Sequence, residues 1–331
     1  MAKTNKQTRE ERWLKNEQLR KVPGMGYLID NAGILIGLVI MIIIISFVAP
    51  GKFLQKDNLI TILRQIAPNA IIAFGMAFAI ITAGIDLSVG SVVALSGTLC
   101  AGLIQSGMPY AVAILCGVAA GTLCGAFSGF VISRTQIPPF IVTLAMMTMA
   151  RGFSYIYSQG RPVRTPDSFG ILGNGYIAGI PIPVIIMFIM LAIMSLTLSK
   201  SKFGRAVYAI GGNREAAKFS GINTKNIIWI VYILVALMAS IAGIITASRL
   251  YSGQPTVSQG GELDAISATV LGGVSMSGGE GKIGGVLIGA IIIGTLSNGM
   301  NLMKVPAYYQ LIAQGAIILL AVYIDVRRKN K

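Results

Sequence analysis

The sequence predicts an all-α polytopic membrane protein of about ten transmembrane segments, some broken or half-length, with both termini in the cytosol. Of its 331 residues 54% are hydrophobic and 12% charged, with a mean hydropathy of +0.74, whereas about a quarter of a soluble domain is charged. Apolar runs recur along the chain at close to the ~20 residues a spanning helix needs. Basic residues gather at alternate ends of those runs, and nineteen of the 27 Lys and Arg fall on the side assigned to the cytosol, as the positive-inside rule requires. The net charge of +15 is therefore a topology signal and not a nucleic-acid footprint.

Residues 1–26, with seven basic and three acidic side chains, form a cytosolic tail. The membrane domain follows over 27–326, with 204–223 as a cytosolic loop, and 327–331 close the chain as a basic tail. The first span is Asn31–Ala49, longer than a signal-peptide core and without a small-x-small cleavage site. The second, Leu59–Ala83, carries Gln65, Pro68 and Asn69; a proline removes a backbone donor, so a kinked or broken helix is expected. Gln65 and Asn69 share a helix face and serve either as interhelical glue or as part of a pathway.

Asp86 lies in ITAGIDLSVGS between two apolar segments. A carboxylate at that depth is costly without a partner, so it either caps the third span, which ends near Ser106, or contacts substrate. Span four, Pro109–Ser133, spaces Gly117, Gly121, Gly125 and Gly129 four apart, a flat stripe for close helix packing within the subunit or across a dimer. Span five, Pro139–Ser158, leads into a long Gly- and Pro-rich loop placed outside. Span six, Val184–Leu198, returns to Lys200, Lys202 and Arg205.

Between spans six and seven (Ile227–Ala247) lies a charged, glycine-punctuated island from Gly204 to Asn223, whose second part, from Ala209 onward, reads AIGGNREAAKFSGIN. Asn213 is suited to cap a short helix beginning at Arg214 and Glu215, and Gly221 to stop it. Beyond span seven, the segment AISATVLGGVSMSGGEGKIGG is too short and glycine-rich for a straight spanning helix, so the eighth segment is expected to be half-length. Span nine, Gly284–Asn301, carries Gly285 and Gly289 as packing positions and ends in Asn298 and Asn301; span ten is Val305–Ile324. The breaks in spans two to three and eight to nine share an order of apolar run, glycine, acid, glycine and apolar run, the form of an internal repeat.

Chemistry is limited by absences. There is no histidine, which removes an imidazole base and the commonest metal ligand; no metal site is expected. Cys100, Cys116 and Cys124 lie inside apolar runs and form no disulfide framework. The nearest approach to a phosphate loop, around Gly281 and Lys282, has Met276 where the first glycine belongs and Ile283 where the magnesium-binding hydroxyl belongs. Any ATP must be hydrolysed by another subunit.

Four segments, TAGIDLSVGS, the island with its AIGGNREAAKFSGIN, ELDAISATVLGGVSMSGGEGKIGG and VPAYYQLIAQGAIILLAVYID, stand in the order and spacing of the permease subunits of bacterial ATP-binding-cassette importers for pentoses and related monosaccharides. From about Asn31 onward the chain resembles the ribose-type permeases of the branched-chain amino acid/ribose superfamily. The resemblance implies a translocation subunit, not an enzyme, in the bacterial cytoplasmic membrane. It pairs with a second permease subunit, either itself or a close relative. A periplasmic or lipid-anchored sugar-binding protein feeds it, and two cytosolic cassette subunits that hold the ATP and Mg drive it; the chain itself binds no cofactor. The island would be the coupling element to the ATPase, through Gly204, Arg205, Gly211, Asn213, Glu215, Ala216, Ala217, Lys218 and Gly221. There the two alanines would present a flat face to a groove inside a polar rim. Gln65, Asn69, Asp86, Asn298 and Asn301 are candidates for the sugar pathway, with Phe74 and Tyr308 as gates. The competing reading is an ion-coupled secondary transporter of a small polar solute, which needs ionisable groups at span centres; Asp86, Glu262, Asp264 and Glu280 all fall at segment ends.

Overall fold

The computed structural model describes residues 32–48 and 51–329. The N-terminal tail expected over 1–26, the edges of the first span at Asn31 and Ala49, and residues 330–331 lie outside the described residues. Helices α1 (Ala32–Val48), α2 (Lys56–Ile81), α3 (Val89–Gln105), α4 (Tyr110–Arg134) and α5 (Pro139–Ser158) lead into an ordered connection. This connection contains β1 (Val163–Arg164), a 3-10 turn at Asp167–Gly170, the single turn α6 (Ile171–Asn174) and the hairpin β2–β3 (Tyr176–Ile177, Ile180–Pro181). Then come α7 (Ile182–Lys200), α8 (Lys202–Gly212), α9 (Arg214–Phe219), α10 (Thr224–Arg249), β4 (Ser252–Gly253), α11 (Gly261–Leu271), α12 (Ile283–Leu302) and α13 (Ala307–Lys329).

Among the described residues six helices, α2, α4, α5, α7, α10 and α12, are long and apolar enough to cross a bilayer. Shorter apolar stretches at Leu35–Val48, Val89–Gln105 and Ala307–Leu320 occupy the places expected for the first, third and tenth spans. Helix α11 has 11 residues, which at the α-helical rise is about 16 Å, half of a hydrocarbon core. The glycine-rich stretch 272–282 after it is irregular, so the expected half-helix and break are present.

Helix α2 is the core. Every residue from Ala70 to Ile81 is buried, because α7, α10, α11 and α12 all pack against it. Over this stretch its apolar residues surround the whole circumference, the pattern of a helix segment with no solvent- or lipid-facing side, whereas Leu59 and Leu63 nearer its start are exposed. The break expected at Pro68 does not occur: α2 runs continuously through it. A proline in a helix interior costs about 3 kcal/mol, and the encircling helices hold the turn in place against that cost.

The glycine stripe of α4 packs within the subunit. Helix α10, with α3, fills it: a side chain at Gly117 would stand 2.7 Å from the carbonyl of Ser96, and one at Gly129 2.8 Å from the carbonyl of Trp229. Gly121 lies against Ser240, and Gly125 against Ala236 and the backbone of Tyr232. Trp229 Nε1 donates to the Ala126 carbonyl at 2.9 Å across the same seam. Gly289 plays the equivalent part between α12 and α11, lying on the backbone of Ala268, while Gly272 of the break lies on the backbone of Gly285 and Val286.

This packing makes a prediction. Gly125→Val inserts an isopropyl group where even a Cβ would stand 2.3 Å from the Ala236 Cβ, and should cost about 1–3 kcal/mol or more by overpacking. Gly152→Val in α5, which faces open space, should be close to neutral. Thermal unfolding of the detergent-purified variants measures both, and a Gly125→Val protein as stable as wild type would contradict the packing described.

Candidate docking element and outer cavity

Segments expected from the sequence on the cytosolic side come together on one face. Helix α8 begins at Ser201, whose Oγ accepts from Gly204 N at 2.9 Å. Its apolar side, with Val207 and Ile210, is buried against the membrane helices. At its end Gly211 is pressed onto the Ile81 carbonyl and the Gly279 amide, with no room for a side chain. Gly279 N donates to Ile81 O at 2.9 Å, and Tyr208 OH donates to Gly281 O at 2.6 Å. Burial raises the pKa of the Tyr208 hydroxyl, so it stays a protonated donor. The Phe203 ring stacks on Phe78 of α2 at 6.1 Å. The two breaks with the shared sequence pattern thus meet, and the island sits on both.

Helix α9 projects beyond this contact. Asn213 Oδ1 caps it by accepting from Ala216 N at 2.9 Å, and Gly221 stops it with a φ of +83°. Arg205, Glu215, Ala216 and Lys218 are exposed, but Ala217 is buried against a cluster that includes Ile132, Val142, Ile210 and Ile228. The expected flat face of two alanines is therefore corrected: the short helix needs Ala217 to seat itself on the membrane domain, and only Ala216 faces outward. Phe219, overlooked in the sequence, is 86% exposed at the helix end. Its signal was an aromatic residue directly after the charged run Arg214–Lys218.

On the opposite face a cavity of about 300 Å³ is lined by Gln65, Pro68 and Asn69 of α2, Arg249 of α10, Ser258 and Gln259 of the loop, Asp264 of α11, and Ser297 and Asn301 of α12. Around it the ordered connection is tied down: β1 pairs with β4, and Asn174 Nδ2 donates to Arg249 O at 3.1 Å. Arg151 donates to the carbonyls of Pro255 and Val257 at 2.7 and 2.8 Å, and Arg64 donates to the Tyr176 hydroxyl. Gln65, Asn69 and Asn301 thus line one space.

The other pathway candidates do not line it. Asn298 is buried in a reciprocal amide pair with Asn58, two bonds of 3.1 Å. Phe74 lies wholly within the core. Tyr308 is exposed and packs on Tyr309 at 4.7 Å. Asp86 is fully buried near the island face, its Oδ1 accepting from Ser88 N and Ser88 Oγ at 2.8 and 2.6 Å. It fixes the turn before Val89 instead of capping the amides of the first turn of α3. The cavity wall adds Arg249, Asp264, Gln259 and Ser297. Gln259 was signalled by its place just before the predicted half-helix, where irregular backbone is tolerated only along a cavity or inside protein; Arg249 and Asp264, charges at helix ends, and Ser297, inside a span, carried no such signal.

Comparison with known proteins places the chain. Residues 58–322 match the family model for the permease component of branched-chain amino acid transport systems. The chain is 46% identical over 304 residues to the ribose import permease protein of Bacillus subtilis, covering 91% of this chain and 94% of that protein. It is 45% identical over 300 residues to the ribose import permease protein of Escherichia coli K12, covering 89% and 93%. With the D-allose transport system permease protein of the same strain it shares 37% over 299 residues, covering 89% and 91%. No solved structure matches the chain.

Removing the Tyr208 hydroxyl should leave the Gly281 carbonyl without its donor, at about 1–3 kcal/mol. In Tyr208→Phe, hydrogen exchange across 272–282 should accelerate about tenfold or more while that of α2 stays unchanged. Unaltered exchange in the break would show that the bond does not hold it.

Proposed function

Because the chain belongs to the family of branched-chain amino acid transport system permease components, we propose that it is the membrane-spanning permease subunit of a binding-protein-dependent, ATP-driven importer of a monosaccharide, with ribose as the sugar. The ribose import permeases at 44–46% identity over nearly the full chain support the substrate class. Ten membrane segments with both termini in the cytosol, a partner permease subunit that is a second copy of this chain, two cytosolic ATP-binding subunits carrying ATP and Mg, and a soluble sugar-binding protein complete this reading. The protein makes no covalent chemistry; it couples a push from the cytosol to a passage. Its location is the bacterial cytoplasmic membrane.

One observation carries the mechanism: the helices that meet the island are the helices that line the outer cavity. Gly211 and Tyr208 touch the end of α2 and the break between α11 and α12. The far ends of α2, α11 and α12 supply Gln65, Asn69, Asp264, Ser297 and Asn301 to the cavity. A cytosolic subunit that grips α9 by Ala216 and Phe219, within the polar rim of Arg214, Glu215 and Lys218, moves α8. Because packed helices shift as rigid bodies, that displacement reaches the cavity without a chain of side-chain changes. Apart from Arg249 and Asp264 the cavity's polar wall is neutral amides and hydroxyls, which suits a substrate that must be released again.

Two experiments test this. Ribose uptake into membrane vesicles holding the binding protein and the ATP-binding subunit should require ATP and persist when ion gradients are collapsed; uptake that follows an ion gradient instead would replace this reading by secondary transport. Ala216→Glu together with Phe219→Ala should release the ATP-binding subunit, or uncouple its hydrolysis, and cut ribose uptake at least about tenfold, since losing a central anchor costs ~2 kcal/mol or more. The membrane domain should melt as in wild type, and normal uptake would place the joint elsewhere.

A further inference from the structure

Two opposite charges face the outer cavity without meeting. Arg249, in the last turn of α10, and Asp264, in the first turn of α11, both line it, yet no ion pair joins them. Nη1 of Arg249 is buried without a hydrogen-bond partner, and Asp264 is held through Oδ1 by the Gln314 side chain, leaving its second oxygen for another donor. The charged neighbour of Arg249, Arg64, is a guanidinium too, which carries donors and no acceptor. A buried charged donor left unpaired is costly, and at a cavity wall it is relieved by whatever enters.

An entering molecule must therefore offer an acceptor to Arg249 and a donor to Asp264. A hydroxyl is both, and a sugar presents several on adjacent carbons. The rest of the polar wall is neutral, with amides at Gln65, Asn69, Gln259 and Asn301, which suits further hydroxyls better than a second full charge. Asp264 also lines a second cavity of about 260 Å³ between α12 and α13, so one carboxylate borders both spaces. We propose that Arg249 and Asp264 form a donor–acceptor station that receives the hydroxyls of the sugar in the outer cavity, with Asp264 at the border to the second one. This rests on the importer reading above.

The test uses the assembled importer in proteoliposomes with labelled ribose. Arg249→Met and Asp264→Asn should each lower uptake at least about tenfold, the loss expected for a hydrogen bond to a charged group. Arg249→Lys, which keeps the charge, should recover part of it. Unchanged uptake in both Arg249→Met and Asp264→Asn overturns the station and leaves the importer standing; wild-type protein that takes up no ribose with ATP overturns both. A transport-independent readout covers variants that fail to assemble: Ser297→Cys in a chain with Cys100, Cys116 and Cys124 replaced by alanine. Ribose should slow its modification by a polar thiol reagent, and the zwitterion leucine should not. Equal rates with and without ribose, or protection by leucine alone, overturn the station.

Discussion

At the end of α2 the carbonyl of Ile81 accepts the amide proton of Gly279, and much of the island face follows from that bond. A helix leaves its last four carbonyls unpaired, and the whole final stretch of α2 is buried, where an unsatisfied group costs several kcal/mol. Thr82, Ala83 and Gly84 close the carbonyls of Phe78, Ala79 and Ile80 locally. Ile81 has to be satisfied from elsewhere, and the break between α11 and α12 supplies the donor. Gly279 reaches it at a φ of +77°, a conformation that costs glycine little and most other residues considerably more. The same approach leaves no space above the bond, so the neighbour from α8 must be Gly211.

The remainder of the subunit is assembled by a different force. Between apolar helices in lipid no hydrophobic gain drives association, so contact area and close approach must supply it. Gly117, Gly121, Gly125 and Gly129 bring the backbones of α4 and α10 together, and the Trp229–Ala126 hydrogen bond adds a directional tie. The opposite side of α4 presents Leu115, Leu123 and Phe127, all strongly exposed. Small residues on one face and large ones on the other orient this helix.

Much of the architecture was legible in the sequence because membrane depth imposes a length and glycine imposes a face. The six long apolar spans, the half-length α11, the cap at Asn213 and the stop at Gly221 are local properties, and local physics sets them. Pairing is less local. Four-residue glycine spacing describes the shape of one surface and says nothing of its partner, so the stripe of α4 could be placed but not matched to α10. Asn298 and Asn301 lie three apart on one face, yet Asn58 consumes the first and the cavity takes the second. Arg249 and Asp264 were hidden because a charge at a helix end has the same sequence signature whether it reaches for head groups or lines an internal space. Ala217 was misassigned for a related reason: an alanine reads equally well as an outward flat face and as the small residue that lets a short helix lie down.

The seam between α4 and α10 also has a history. Trp229 lies 103 residues beyond Ala126, and chains grow at about 5–20 residues per second, so the second half of the seam arrives roughly 5–20 s after the first. During that interval the glycine furrow of α4 has no α10 to fill it. Helix α3, made just before α4 and packed against it, is the neighbour already present. The membrane domain therefore closes late: the furrow cut to the backbone of α10 is filled only once α10 has been made.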